Sequence, residues 1–298
     1  RAPSRRPPRV DAGARVRGVA GASVAMSSVP SVPHTHGIEM AGDVVRKVYV
    51  SWSEGEPERE WAAIVHLHEH ARGLAPRPIS RGVLGGRPTV TMSRVPGHPL
   101  SGPVSRPQAV ALATAAQRLF AAPLPVDGRV RINEPVSFHE RFRPWLSEAY
   151  EWGQCADPRL VRHAVDVARA WLDQHPPEED WLIDPVIAVG DGNLDNVLWD
   201  GETCRLIDWE EFGASDLAYE VADIAEHASS RLGRCLDVPA LLDDLELTGA
   251  QRARVVQHRR RFACFWLAML LPGNSGWRRN PPGSCEDQAR HLLDLLQP

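Results

Sequence analysis

Two short apolar runs, Val186–Val189 and Leu206–Ile207, each lead into a carboxylate, Asp191 and Asp208, and a turn signal lies between them. No other stretch restricts the fold of this chain as tightly. Asp200-Gly201 flanked by apolar residues marks a β-hairpin, because that pair tolerates the backbone angles a tight turn demands. With the turn centred near residues 201 and 202, antiparallel pairing sets position 196 opposite 207 or 208. Asn196 and Asp208 then lie side by side at the open end of the hairpin, and Asp191 loops back over the same end. Two carboxylates and a carboxamide are hard oxygen donors suited to Mg²⁺, which prefers a few protein ligands together with substrate phosphates. Between Asp191 and Glu226 there are eleven acidic residues and one base, Arg205. Most of these acids read as a solvated face. Asp191 and Asp208 differ, since a carboxylate closing an apolar strand is costly without a partner.

A metal–phosphate site wants a cation from elsewhere. Of the 34 basic residues, Lys47 alone is lysine and the others are arginine. Where composition drives cations to arginine, the surviving lysine marks a place that needs a compact ammonium. It lies in the alternating run Val44–Val50, on one face with Val45 and Tyr49. Glu58 to Ala71 predicts a helix on which Ile64, Leu67 and Ala71 fall within about 40° of Glu60. Glu60 therefore points with the apolar stripe, and Glu58 points away. An inward glutamate and an inward lysine answer each other, and the pair turns the ammonium toward nucleotide phosphates.

The 298 residues hold 43% hydrophobic and 24% charged side chains, which excludes a wholly disordered or membrane-embedded chain. The longest apolar run, Phe262–Leu271, is about half of a membrane span and reads as a buried helix. A net charge of −4 excludes a generally cationic nucleic-acid binder. Cys155, Cys204, Cys235, Cys264 and Cys285 are too widely spaced for a zinc knuckle or a redox pair, and point to the cytoplasm. Residues 1–33, rich in Pro, Arg, Ser, Gly and Ala, read as a disordered tail, and a natural start at Met26 would make most of it extraneous. Thr35–Met40 and Val44–Val50 predict a hairpin, and Thr89–Arg94 a further strand. Helices follow, opened by capping boxes at Ser105–Gln108 and Ser137–Glu140 and by Asp157-Pro158. The pattern divides into an N-lobe over 34–94 and a C-lobe over 95–298, joined near residues 92–97. His66, His68 and His70 lack a third convergent ligand and read as a solvated helix edge.

The order of a single Lys, a helix Glu, a hinge, Gly190-Asp191 with Asn196 five residues on, a hairpin and Ile207-Asp208-Trp209 resembles the aminoglycoside phosphotransferase family, over roughly residues 34–230. The resemblance implies an α+β, two-lobed protein-kinase-like fold. It implies a kinase that moves the γ-phosphate of ATP, or GTP, to a hydroxyl of a small molecule with Mg²⁺ as cofactor. By motif position Asp191 resembles the catalytic aspartate, Asn196 and Asp208 the metal ligands, and Lys47 with Glu60 the phosphate-positioning pair. Met92, Ser93 and Arg94 resemble the hinge whose backbone hydrogen-bonds adenine. Trp209, Glu210 and Glu211 are expected beside a cationic acceptor, and Glu220 and Asp223 are expected to brace the catalytic loop through its backbone. Aminoglycosides, amino-alcohols and sugars are all allowed acceptors. The alternatives are a choline- or ethanolamine-like kinase and a nucleotide-binding protein without catalysis. The second is motivated by Val189 in place of the usual histidine and by a nucleotide-covering loop with only Gly37 and Gly42. Keeping Lys47, Glu60, Asp191, Asn196 and Asp208 together argues against it.

Overall fold

The computed structural model describes residues 36–100, 102–232 and 235–297. The tail expected over 1–33 and the start of the first expected strand, at Thr35, lie outside these residues. The first hairpin forms from β1 (Gly37–Ala41) and β2 (Val44–Val48), with Ile38 opposite Lys47. A helix, α1 (Glu56–His70), precedes β3 (Pro78–Leu84) and β4 (Arg87–Ser93). The four strands make one antiparallel sheet in the order β1-β2-β4-β3. The sequence pattern misses β3 because this edge strand is exposed over all but its first residue and shows no apolar alternation. Ala63, Ile64 and Leu67 of α1 are fully buried, as is Tyr49 just beyond β2. Two residues separate the helix start from its expected position, since Pro57 sits in the first turn, where its missing N–H costs nothing.

The remainder of the chain is mostly helical. After the short β5 (His98–Pro99), α2 (Arg106–Phe120) is capped as expected, with Gln108 Oε1 accepting from the Ser105 N–H at 2.9 Å. The box expected at Ser137 does not open a helix. Glu134 caps α3 (Pro135–Phe142) instead, its carboxylate accepting from the Val136 and Ser137 N–H groups at 2.7 Å each, so Ser137 lies inside. Asp157 caps α4 (Pro158–Gln174). Four short strands follow: β6 (Pro185–Ile187), β7 (Val197–Trp199), β8 (Cys204–Leu206) and β9 (Ala214–Asp216). β7 and β8 form the hairpin around Asp200-Gly201, and β6 pairs with β9.

The helical core is built on α5 (Leu217–Glu226), buried from Ala218 to Glu226, against the long α8 (Gly249–Met269). Three small helices, α6 (Ala228–Arg231), α7 (Val238–Asp244) and, after α8, α9 (Ser275–Arg279), fill the edges. α10 (Ser284–Leu296) closes the bundle over α4 and α8. Phe262, Leu267 and Leu271 are buried, which accounts for the long apolar run. Among the described residues no helix is long and apolar enough to cross a membrane.

Two histidines of this core set an acid limit. Burial, then the charges of Arg261 and Arg143, holds the His139 pKa down at about 4 against an ordinary 6.5. Burial with Arg261 and Arg254 holds His258 at about 3. Both rings are neutral in the fold and protonate first in the unfolded chain. Their contribution is complete above pH 6.5 and is lost as the pH falls toward the two depressed values. For each ring the slope is at most about 1.4 kcal/mol per pH unit. Urea unfolding of His139→Gln is expected to show a shallower acid slope than the unsubstituted protein; an equal slope contradicts burial of a neutral ring.

Candidate active site

Lys47 is the penultimate residue of β2, with only 5% of its surface exposed. Its ammonium donates to Glu60 Oε2 at 2.8 Å, to Glu210 Oε2 at 2.9 Å and to Asp208 Oδ1, so three protons meet three carboxylates. Tyr49 adds its hydroxyl to Glu60, and His36 Nε2 lies 3.0 Å from Glu210 Oε2. Burial opposes the ammonium, but the carboxylates outweigh it and hold the Lys47 pKa well above its ordinary value. Burial likewise opposes the Glu210 carboxylate, yet His36 and Lys47 pull its pKa down to about 2. The expected Lys47–Glu60 contact is present, and it carries two further acids.

Asp208 reaches this cluster from a left-handed backbone, φ +69°, unusual for a residue with a side chain. The pairing behind it fixes the position, since the Ile207 N–H donates to the Asn196 carbonyl at 3.0 Å. The turn geometry read from Asp200-Gly201 thus puts 196 opposite 207. Asn196 Nδ2 is buried without a hydrogen-bond partner, so packing does not consume its carboxamide. Oxygens of Glu60, Asp208 and Glu210 lie within 4.8 Å of one another. Lys47 leaves this acid cluster with negative charge in excess, and its hard oxygens fit a divalent cation. The histidine run is not such a group: His66 Nε2 sits 2.7 Å from the Pro123 carbonyl.

Asp191 follows β6 on a loop pressed against α5. At Gly192 an added Cβ would stand 2.5 Å from the Asp223 carbonyl, so only glycine allows the approach. Asp191 Oδ1 accepts from the Asn193 N–H at 3.1 Å and lies 3.3 Å from His227 Nε2. The Ser229 N–H donates to His227 Nδ1 at 3.1 Å, which leaves the ring proton on Nε2, facing Asp191. Ser229 Oγ in turn accepts from the Leu194 N–H at 2.8 Å. The side chain of Asp191 is 46% exposed. Desolvation of its inner side, then the charges of Asp223, Glu211 and Asp208, raises its pKa well above the ordinary carboxylate range.

A second buried cation holds this loop. Arg131, 3% exposed, donates to Glu220 Oε1 at 2.5 Å, to the Gly190 carbonyl at 2.6 Å, to Glu211 Oε2 at 3.1 Å and to Asp223 Oδ2 at 3.2 Å. The other oxygen of Glu220 accepts from the Val189 and Gly190 N–H groups at 2.7 and 3.2 Å. Glu220 therefore braces the loop backbone as expected. Asp223 does not, because its carboxylate faces Arg131. Burial, against Arg131 and with Glu220 and Glu211, pushes the Asp223 pKa up to about 7. The sequence pattern misses Arg131, which lies between regular elements and is placed by backbone pairing of residues 129–131 with β9. Its signal was the acid surplus itself. Asp216, Glu220, Asp223 and Glu226 are buried and Asp200, Asp216 and Glu226 pair with Arg205, Arg254 and Arg259, so the expected solvated acidic face is largely a set of ion pairs.

The residues expected beside an acceptor are corrected on the same grounds. Trp209 is 1% exposed with its indole N–H on the Leu206 carbonyl at 3.3 Å, and belongs to the core. Glu210 is taken by Lys47 and His36, and Glu211 by Arg131 and Asn133. At the hinge Met92 is buried, the Ser93 N–H donates to the Arg77 carbonyl at 2.9 Å and the Arg94 N–H to the Asp43 carbonyl at 2.7 Å. The backbone donors of Ser93 and Arg94 are thus consumed. Val95 N–H, without a protein acceptor among the described residues, is the next along the chain.

Replacing Arg131 by Met strands three acids and is expected to cost about 3–5 kcal/mol in urea unfolding. Arg131→Met combined with Glu220→Gln is expected to cost less than the single change; a strictly additive double variant contradicts the clamp.

The profile of the phosphotransferase enzyme family matches residues 43–256. None of the functionally curated proteins matches the chain at a significant level. Among solved structures, a choline/ethanolamine kinase family protein from Mesorhizobium loti is similar with a TM-score of 0.59 at 17% identity, over 90% of this chain and 87% of that one. Choline kinase from Streptococcus pneumoniae is similar with a TM-score of 0.57 at 11% identity, over 92% and 93%. An aminoglycoside phosphotransferase from Streptomyces rimosus gives 0.52 at 18% identity, over 79% and 90%. These likenesses confirm the kinase-like α+β fold, and with the profile match over most of its length the chain belongs to the phosphotransferase enzyme family.

Proposed function

We propose that this protein transfers the γ-phosphate of ATP, or of GTP, to a hydroxyl of a small acceptor such as an aminoglycoside or an amino-alcohol. One observation carries the reading: Lys47 of the N-terminal sheet, Glu60 of α1 and Asp208 beyond β8 share one cluster, from positions up to 161 residues apart. Unlike Glu220 and Asp223 around Arg131, two of the acids on Lys47 stay partly open, Asp208 at 36% and Glu210 at 27% exposed, which is the electrostatics of a metal-nucleotide site.

In this reading residues 34–94 form the nucleotide lobe and 95–298 the lobe that carries the chemistry, in a cytoplasmic enzyme. Lys47, oriented by Glu60, meets phosphate oxygens. The hinge at Met92, Ser93 and Arg94 lies against adenine, with Val95 N–H as the free donor. Asn196 and Asp208 would hold Mg²⁺, which when bound would supply charge neutralisation to the phosphates. Asp191 accepts the proton of the acceptor hydroxyl as the new O–P bond forms and the nucleoside diphosphate leaves. Its raised pKa makes it a better proton acceptor than an ordinary carboxylate. His227, donating from Nε2, orients that carboxylate. Arg131 and Glu220 take over the loop support expected of a histidine at position 189.

The test is thermal shift with and without Mg·ATP, followed by turnover on a panel of amino-alcohols, aminoglycosides and sugars. Stabilisation by nucleotide and turnover on at least one acceptor are expected. Nucleotide binding with no turnover on any acceptor or on water would establish the binding-protein alternative. Asp191→Ala is expected to abolish turnover and leave nucleotide binding in place; surviving turnover removes Asp191 from its role. His227→Phe is expected to lower kcat about tenfold with the KM for ATP unchanged, and His227→Gln, which keeps a donor near the Nε2 position, to recover most of it. Equal losses in both His227 variants contradict the orienting hydrogen bond.

A further inference from the structure

Behind the hinge lies a second concavity, of about 410 Å³, which none of the residues proposed for phosphoryl transfer except the hinge segment touches. Its polar wall is made by His68, Arg72, Arg77, Ser93, Arg94 and Arg205. Arg205 is neutralised by Asp200. Arg72, Arg77 and Arg94 have no acidic partner among the described residues. Three arginines without an acidic partner among the described residues therefore line one hollow in a chain whose net charge is −4.

The backbone that carries them is tied down. Gly73 turns the chain after α1 at φ +84°, and Leu74 is fastened on both sides, its N–H to the Ala71 carbonyl at 3.0 Å and its carbonyl to the Leu206 N–H at 2.8 Å. Arg118 of α2 donates to the Arg72 carbonyl at 2.9 Å. Arg77 is zipped to the hinge, its N–H donating to Ser93 Oγ at 2.9 Å and its carbonyl accepting from the Ser93 N–H at 2.9 Å. The stems of Arg72 and Arg77 thus leave a fixed frame that joins α1, β4 and β8. Like charges collected on a concave surface focus the field, and planar guanidinium forks match phosphate oxygens. No Phe, Tyr or Trp lines the hollow, so nothing there would stack on a base.

We propose that this cleft is an anion site for a small oligophosphate, recognised through its phosphates alone and separate from the Lys47 cluster. Inorganic tripolyphosphate, without added metal, is the probe, titrated calorimetrically into the full chain at low salt. Binding is expected in the unsubstituted protein and at least about tenfold weaker binding in Arg72→Ser/Arg77→Ser, since each lost charge-assisted contact is substantial. Arg159→Ser/Arg169→Ser, which removes two exposed arginines from α4, is the control for diffuse charge and is expected to bind like the unsubstituted protein. Circular dichroism of both variants confirms folding, which their surface positions favour. Unchanged affinity in Arg72→Ser/Arg77→Ser places the phosphates elsewhere, and equal weakening in the control reduces the effect to general attraction; either result overturns the proposal. So does the absence of binding to the unsubstituted protein. None of these outcomes depends on whether the chain turns over ATP.

Discussion

The structure depends on the ammonium of Lys47. It is buried, and a buried charge survives only when paired. Glu60, Asp208 and Glu210 supply the pairing from a helix and from the segment after the β7–β8 hairpin, so the lysine fastens the N-terminal sheet to the helical remainder. A guanidinium could not repeat the arrangement. Its planar fork spreads five donors over a larger outline, whereas the ammonium gathers three oxygens onto one atom.

Arg131 repeats the principle on the other side of the same segment. It collects Glu211, Glu220 and Asp223, and the Nη2 that meets Glu211 and Asp223 also donates to the Gly190 carbonyl. The neighbours Glu210 and Glu211 divide between the two cations, with Trp209 buried before them as the pivot. Asp208 is held by the first of these cations, whereas Asp191 is held by the Asn193 N–H and His227 on the loop that Arg131 and Glu220 brace. His227 turns its ring proton toward Asp191, the most exposed acid of this group. The acids of residues 191–226 thus serve internal pairing before they serve any ligand.

Much of this was legible in the residues, and the failures have physical reasons. The hairpin was readable because Asp200-Gly201 has few other uses, and its register follows from the period of two. Lys47 was readable against a background of arginine, and Glu60 because a charge stood on an apolar helix face. Arg131 was not readable, since an arginine in an irregular segment looks like any other until β9 pairs with its backbone. Glu210 and Glu211 were misread as free because sequence shows an acid without showing the distant cation that consumes it. Ser137 was misread as a cap because Glu134, three residues earlier, already opens the helix by accepting from the Val136 and Ser137 N–H groups. β3 escaped notice because an exposed edge strand buries too little to leave an alternating pattern.

The family match and the kinase-like fold make phosphoryl transfer the frame for the site, and the Lys47 cluster is where that frame meets this chain's own chemistry. A crystal structure with Mg²⁺ and a non-hydrolysable ATP analogue tests it most directly. The account expects Lys47 to keep Glu60 and to exchange Asp208 for a phosphate oxygen, with Asp208 and Asn196 turned to the metal. Phosphates bound away from Lys47, or a Lys47 still gripped by all three carboxylates beside a bound nucleotide, would contradict it.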